Sequence, residues 1–106
     1  MKVHRYFGPG FPEIVYKRAL AIEIKKEKTN VELEVARNIY YETEHIYTRK
    51  IDILVEGIVM VELKAQKELD NGNVNQVLNC LHVFELEVGL LLNFGTSSLF
   101  IKRFVN

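Results

Sequence analysis

Two short stretches of this chain put charged side chains where aliphatic ones are expected. Lys50-Ile51-Asp52-Ile53-Leu54-Val55 is followed closely by Ile58-Val59-Met60-Val61-Glu62-Leu63-Lys64-Ala65. A carboxylate buried among branched aliphatics is costly unless it is paired or bound to a cation. Two carboxylates recurring at close range could share a divalent ion. Mg²⁺ takes oxygen ligands and is usually held by one or two carboxylates, with waters completing its shell. Such an ion stabilises phosphate charge and lowers the pKa of a bound water, which is the chemistry of phosphodiester hydrolysis. Lys64 lies two residues after Glu62, so on a strand both emerge from the same face. Its ammonium could hold an attacking hydroxide or a non-bridging phosphate oxygen.

Register decides whether Asp52 and Glu62 can meet. With a turn of Glu56-Gly57 alone, Asp52 pairs with Val61 and Glu62 points to the other face. A loop of odd length, such as Glu56-Gly57-Ile58, or a bulge puts both carboxylates on one face. Three-residue hairpin loops containing Gly are common, and such a loop or bulge is predicted here.

The elements that must position these residues are legible in outline. Gly8-Pro9-Gly10-Phe11-Pro12 is a turn, without the spacing of a nucleotide-binding loop. Pro12 suits the first position of a helix running to about Glu27. Glu13 complements the dipole at its start, and Lys25, Lys26 and Lys28 do so at its end. Val15, Ala19 and Ile22, with Tyr16, Leu20 and Ile24, form its broad apolar face. Strands are predicted around Val35–Tyr41, Arg49–Val55 and Ile58–Ala65, with a charged turn at Glu42–His45. A polar loop, Gln66–Gly72, leads to a helix from about Asn73 to Phe84, whose apolar stripe is Val74, Val77, Leu78, Leu81 and Phe84. Val88–Phe94 reads as a strand buried on both faces. Gly95–Ser98 is a turn, and Leu99–Val105 an alternating closing strand. The order is α-β-β-β-α-β-β, an α/β domain on the border of α+β, with a mixed five-stranded sheet flanked by helices. The second helix is a natural crossover between strands three and four.

Composition bounds the possibilities. The 106 residues suit one domain, 1–106, able to bury roughly 65% of its unfolded surface. A hydrophobic fraction of 48% fits a globular protein. Fourteen basic residues match fourteen acidic ones. The balance excludes a strongly basic nucleic-acid coat protein, but not a nuclease that uses a local patch and bound cations. Cys80 is the only cysteine, which excludes an intrachain disulfide and a cysteine-based zinc site. It reads as a small buried hydrophobe. The lone thiol and the lack of a secretory segment point to the cytoplasm. No apolar run approaches a membrane span.

Two further residues join the candidate site. Gln76, in the first turns of the second helix beside Asn73, Asn75 and Asn79, could approach the water or a phosphate. Glu13 could serve as a third acidic ligand or orient one. Each taken alone has a plainer reading: a solvated helix face for Gln76, a helix-start charge for Glu13, cross-strand ion pairing for Asp52, Glu62 and Lys64. His4, His45 and His82 are scattered and suggest no metal role. Lys25/Lys26/Lys28, Arg49/Lys50 and Lys102/Arg103 read as solvated surface from which a phosphate backbone could still be contacted.

Asp, then Glu-x-Lys on a hairpin, then a helix carrying Gln, resembles the PD-(D/E)XK nuclease superfamily. Within it the chain is most similar to the small GxxExxY proteins. Val3 through Tyr16 looks like their opening motif, with Gly10, Glu13 and Tyr16 at the named positions, followed by Ala19-Leu20-Ala21-Ile22-Glu23. Ile51–Glu56 and Val61–Ala65 resemble their core hairpin, and Gly89–Gly95 with Ile101-Lys102-Arg103 extends the likeness over essentially the whole chain. Cys80 stands where a Tyr is common. The resemblance implies a restriction-endonuclease-like core and phosphodiester cleavage dependent on Mg²⁺ or Mn²⁺. Asp52 and Glu62 would bind the metal, Lys64 would assist the nucleophile, and Gln76 and Glu13 would support the site. The implied partner is DNA or RNA, without a membrane. A homodimer would bury further area around the apolar closing strands. The alternative is a non-catalytic nucleic-acid- or protein-binding module on the same fold.

Overall fold

In the computed structural model, which describes residues 2–106, the apolar runs assemble into one five-stranded sheet of order β1-β2-β3-β4-β5. The strands are β1 (Val31–Tyr41), β2 (Glu44–Val55), β3 (Val59–Lys64), β4 (Val88–Asn93) and β5 (Phe100–Val105). Neighbours are antiparallel except β3 and β4, which are parallel. A parallel pair needs a crossover, and α3 (Asn71–Val83) supplies it. On the chain before the sheet lie α1 (Lys2–Phe7) and α2 (Glu13–Lys26). The sheet is therefore mixed and flanked by helices, as the element pattern implied.

Each face of the sheet has its own core. On one, Tyr16 and Leu20 of α2 and Val3 of α1 pack on Ile53, Val61, Leu63, Leu92 and Phe94. On the other, Val77, Cys80, Leu81 and Phe84 pack on Ile51, Met60, Leu91 and Phe104. Strand β4 feeds both cores, with Leu91 in one and Leu92 in the other. Asp70 closes a capping box with Asn73, so α3 begins two residues before the predicted Asn73. Among the described residues no helix is long and apolar enough to cross a membrane.

Four expectations are corrected. The opening residues form the short helix α1, whose six residues are too few for periodicity to reveal. Strands β1 and β2 are longer than predicted and close in a two-residue turn, Glu42-Thr43, making a ribbon. Most of that ribbon is exposed on both faces, so it lacks the alternation that marks a half-buried strand. The stripe Val15/Ala19/Ile22 is not core throughout, since Ile22 is 57% exposed and the buried residues of α2 are Tyr16, Leu20 and Ala21. Leu78, expected in the α3 stripe, is likewise exposed.

Two features explain parts of the opening and closing motifs. Gly10 has φ 110° and Gly8 φ 69°, a region that costs a side chain dearly. The fully buried Tyr16 ties this turn to α2. Its hydroxyl donates to the Gly8 carbonyl and accepts from the Phe11 N–H, while its ring stacks on Phe94 at 4.5 Å. Removing the hydroxyl in Tyr16→Phe strands those backbone groups. Urea unfolding is expected to show a loss of about 1–3 kcal/mol, and an unchanged midpoint would refute the tie. At the other end, a Cβ on Gly95 would lie 2.3 Å from the Gln66 backbone. Buried Asn93 holds the same crossing, accepting from the N–H groups of Gln66 and Gly95 and donating to the Gln66 carbonyl.

Candidate functional site

The β2–β3 hairpin turns through three residues, Glu56-Gly57-Ile58, so Val55 pairs with Val59 and Ile53 with Val61. Extending that register by one step opposes Asp52 to Glu62, as the odd loop requires. Glu56 and Gly57 take φ 55° and 68°, the left-handed values a tight loop needs. Past Ile53 the main-chain pairing of β2 with β3 stops and side chains take over. The Leu63 N–H donates to Asp52 Oδ2 at 2.9 Å, and the Asp52 N–H donates to Glu62 Oε1 at 3.3 Å. Each carboxylate thus caps the backbone of the opposite strand at the point where the two strands part.

Glu62 is buried, with 7% of its surface exposed. Burial, then the Asp52 charge, push its carboxyl up to about 8, against a smaller opposing pull from the Asp52 N–H and Lys64. A hydrogen bond to the Asp52 carboxylate favours the protonated form as well. The pair therefore holds a proton at neutral pH that a cation would displace.

Residues of β3 and α2 act on this pair, and α3 packs on the same sheet. Lys64 follows Glu62 by two positions on β3 and acts electrostatically on both Glu62 and Glu13. Glu13, in the first turn of α2, has a raised pKa, chiefly from desolvation, with Asp52 raising it and Lys64 and Lys17 lowering it. Gln76 sits one turn before Cys80 on α3. Burial raises the Cys80 thiol and the charge of Glu62 raises it further, so this stripe of α3 lies on the Glu62 side of the sheet. Among the described residues no three of His, Cys, Asp and Glu converge tightly enough to hold a metal. The acidic centre is thus the pair Asp52 and Glu62, with Glu13 beside it rather than completing a triad.

One participant escaped sequence reasoning. Lys17, one turn after Glu13, places Nζ 3.5 Å from Asp52 Oδ1 and 3.0 Å from Glu34 Oε1. Burial alone would lower its pKa, but the bonds and charges of Glu34 and Asp52 outweigh that and raise it. Lys17 stays charged and fixes the Asp52 carboxylate. The i, i+4 spacing of Glu13 and Lys17 was the available signal.

The family model of the PD-(D/E)XK nuclease superfamily matches residues 1–104. The chain belongs to the PD-(D/E)XK nuclease superfamily. Its members are generally nucleases, hydrolases of nucleic-acid phosphodiesters that typically use divalent metals. The fold agrees. The crystal structure of SSO0001 is similar at TM-score 0.69 and 19% identity, over 87% of this chain and 48% of that one. This chain thus spans about half the length of that relative. No curated protein matches the sequence. In this superfamily member the donor set is two hard carboxylates on opposed strands, one of them driven to hold a proton by burial and by the charge of the other. That set fits a divalent, oxygen-preferring cation.

Proposed function

We propose that residues 1–106 form a single metal-dependent nuclease domain, within the GxxExxY group of the superfamily, hydrolysing nucleic-acid phosphodiester bonds with Mg²⁺ or Mn²⁺. The observation that carries the proposal is the opposition of Asp52 and Glu62 where β2 and β3 separate, with Glu62 pushed up to about 8. The carboxylates of Asp52 and Glu62 would hold the ion. When bound, it would neutralise phosphate charge and acidify a water.

The chain's own residues do the rest. Lys17 holds Asp52 Oδ1 and the Leu63 N–H holds Oδ2, so the carboxylate is oriented before a ligand arrives. Lys64 Nζ is assigned to donate to the attacking water or to a non-bridging phosphate oxygen. Glu13, with its raised pKa, is assigned to accept or return a proton near Lys64. Gln76 is assigned to steady the water from the α3 side.

The test is a calorimetric Mn²⁺ titration of the wild type against the Asp52→Ala/Glu62→Ala double variant, each shown to be folded by circular dichroism. Binding is expected in the wild type and absent in the variant. Equal heats from both would remove the metal from this hairpin and favour a non-catalytic binding module.

A further inference from the structure

The β1–β2 ribbon carries two arginines in directly opposed positions, Arg37 and Arg49. Like charges facing one another across an antiparallel pair are destabilising. Among the described residues neither has a carboxylate at ion-pair distance. Both lie on the α3 side of the sheet. The Arg37 guanidinium sits 5.2 Å from the centre of the Phe84 ring. Arg49 lies against the Cys80 thiol, opposing the rise that burial and Glu62 impose on it. The register thus sets both arginines on the face that Cys80 and Phe84 of the α3 side pack against.

The same face continues outward. Ile39 and Tyr47 oppose each other two residues further along the ribbon, and alternation puts them on the arginine side. Tyr47 is 56% exposed. From Glu62 outward the face presents two arginines and then an open aromatic ring. Beyond Val35 and Ile51 the two strands pair only with each other. The tip bears Glu42 and Glu44, so an anionic ligand is favoured only up to Tyr47. Guanidinium forks match phosphate oxygens. A free ring stacks on a base only when that base is released from pairing.

We propose that Arg37 and Arg49 clamp a backbone phosphate of a single nucleic-acid strand and that Tyr47 stacks on one of its bases, leading the strand to the Asp52/Glu62 pair. The inference deepens the nuclease reading by naming its substrate form, while the clamp itself requires no metal.

The test is fluorescence anisotropy with labelled single-stranded DNA and RNA of about 15 nucleotides, and with the matching duplexes, in EDTA so that nothing is cut. The wild type is expected to prefer the single strands. Arg37→Gln/Arg49→Gln should weaken them roughly tenfold or more and reduce the salt slope by about 0.7 for one lost phosphate contact. Its melting temperature should hold or rise, because an unfavourable pair of charges is gone; a purely structural pair would lower it. Arg37→Lys/Arg49→Lys should bind in between, keeping charge and losing the fork. Tyr47→Ala should weaken single strands and leave duplex binding as it was. The proposal is overturned by a wild type that binds no oligonucleotide, by one that prefers duplex, or by a double glutamine variant that binds like wild type. It is overturned equally if these variants change sedimentation, as for a ribbon that pairs with a second copy, and not affinity. Cleavage by the same proteins separates the two readings. Weakened binding with no cleavage by any of them keeps the clamp and rejects the nuclease. Cleavage by a glutamine variant that also binds normally does the reverse.

Discussion

Metal-free wild-type protein is expected to lose stability as pH rises from about 5 to 8.5, and Glu62→Gln to abolish most of that loss. The Glu62 carboxyl is pushed up to about 8 in the folded chain, from an ordinary value of 4.5. Below 4.5 the folded and unfolded chains both carry this proton, and its contribution to stability is fully present. Between 4.5 and 8 the unfolded chain has released the proton while the folded chain keeps it. Unfolding then releases a proton, so rising pH favours the unfolded state until the folded group also ionises. The contribution lost across this window is on the order of 4 kcal/mol at most. A neutral amide at position 62 can donate to Asp52 at every pH, as the protonated acid does. The variant should match wild type near pH 5.5 and exceed it at pH 8.5. Urea titrations in EDTA at both values measure this, and parallel curves for the two proteins would contradict the buried proton. Mn²⁺ should restore the wild type at high pH and leave the variant largely unaffected, because the ion takes the place of the proton.

Lys64→Met is expected to lower the cleavage rate by roughly 10²–10³-fold, the size seen when one donor to a developing oxyanion is removed. Methionine keeps the length and apolar stem of lysine and removes the charge. Lys64 neighbours Glu62 and Glu13 electrostatically but makes no ion pair among the described residues. The change should therefore spare folding and leave Mn²⁺ affinity within a few-fold. Single-turnover cleavage beside calorimetric titration gives the split. An unaltered rate would take Lys64 out of the reaction, whereas lost metal binding would make it a supporting residue instead.

The hairpin was the most legible part of the molecule. Two carboxylates in aliphatic strands demand a reason, and a period of two turns that demand into a rule about loop length. The three residues Glu56-Gly57-Ile58 satisfy it. Lys17 was hidden because a lysine on a helix looks like any solvated charge until Glu34 and Asp52 are brought to it by tertiary packing. Arg49 was read as surface for the same reason, and the importance of Arg37 appears only once the ribbon register opposes the two. The ribbon itself was underestimated because half-burial is what prints alternation into a strand, and most of this one is exposed. Glu13 does stand within electrostatic reach of Asp52 and Lys64, because α2 packs over that face of the sheet, whereas the role of Gln76 rests on motif order and on its helix alone.

Glu34 has a consequence beyond its bond to Lys17. It takes φ 52° in the middle of β1, opposite Asp52, and the pairing of β1 with β2 skips that step. Strand β1 is also the outer member of the sheet, with a row of backbone donors and acceptors facing water along its free side. Eleven such residues in a straight line would invite strands from other molecules to add themselves. The left-handed turn at Glu34 splits the line into Val31–Leu33 and Val35–Tyr41, and an arriving strand cannot follow both. The contortion that delivers a carboxylate to Lys17 therefore also guards the chain against runaway aggregation at its most exposed border.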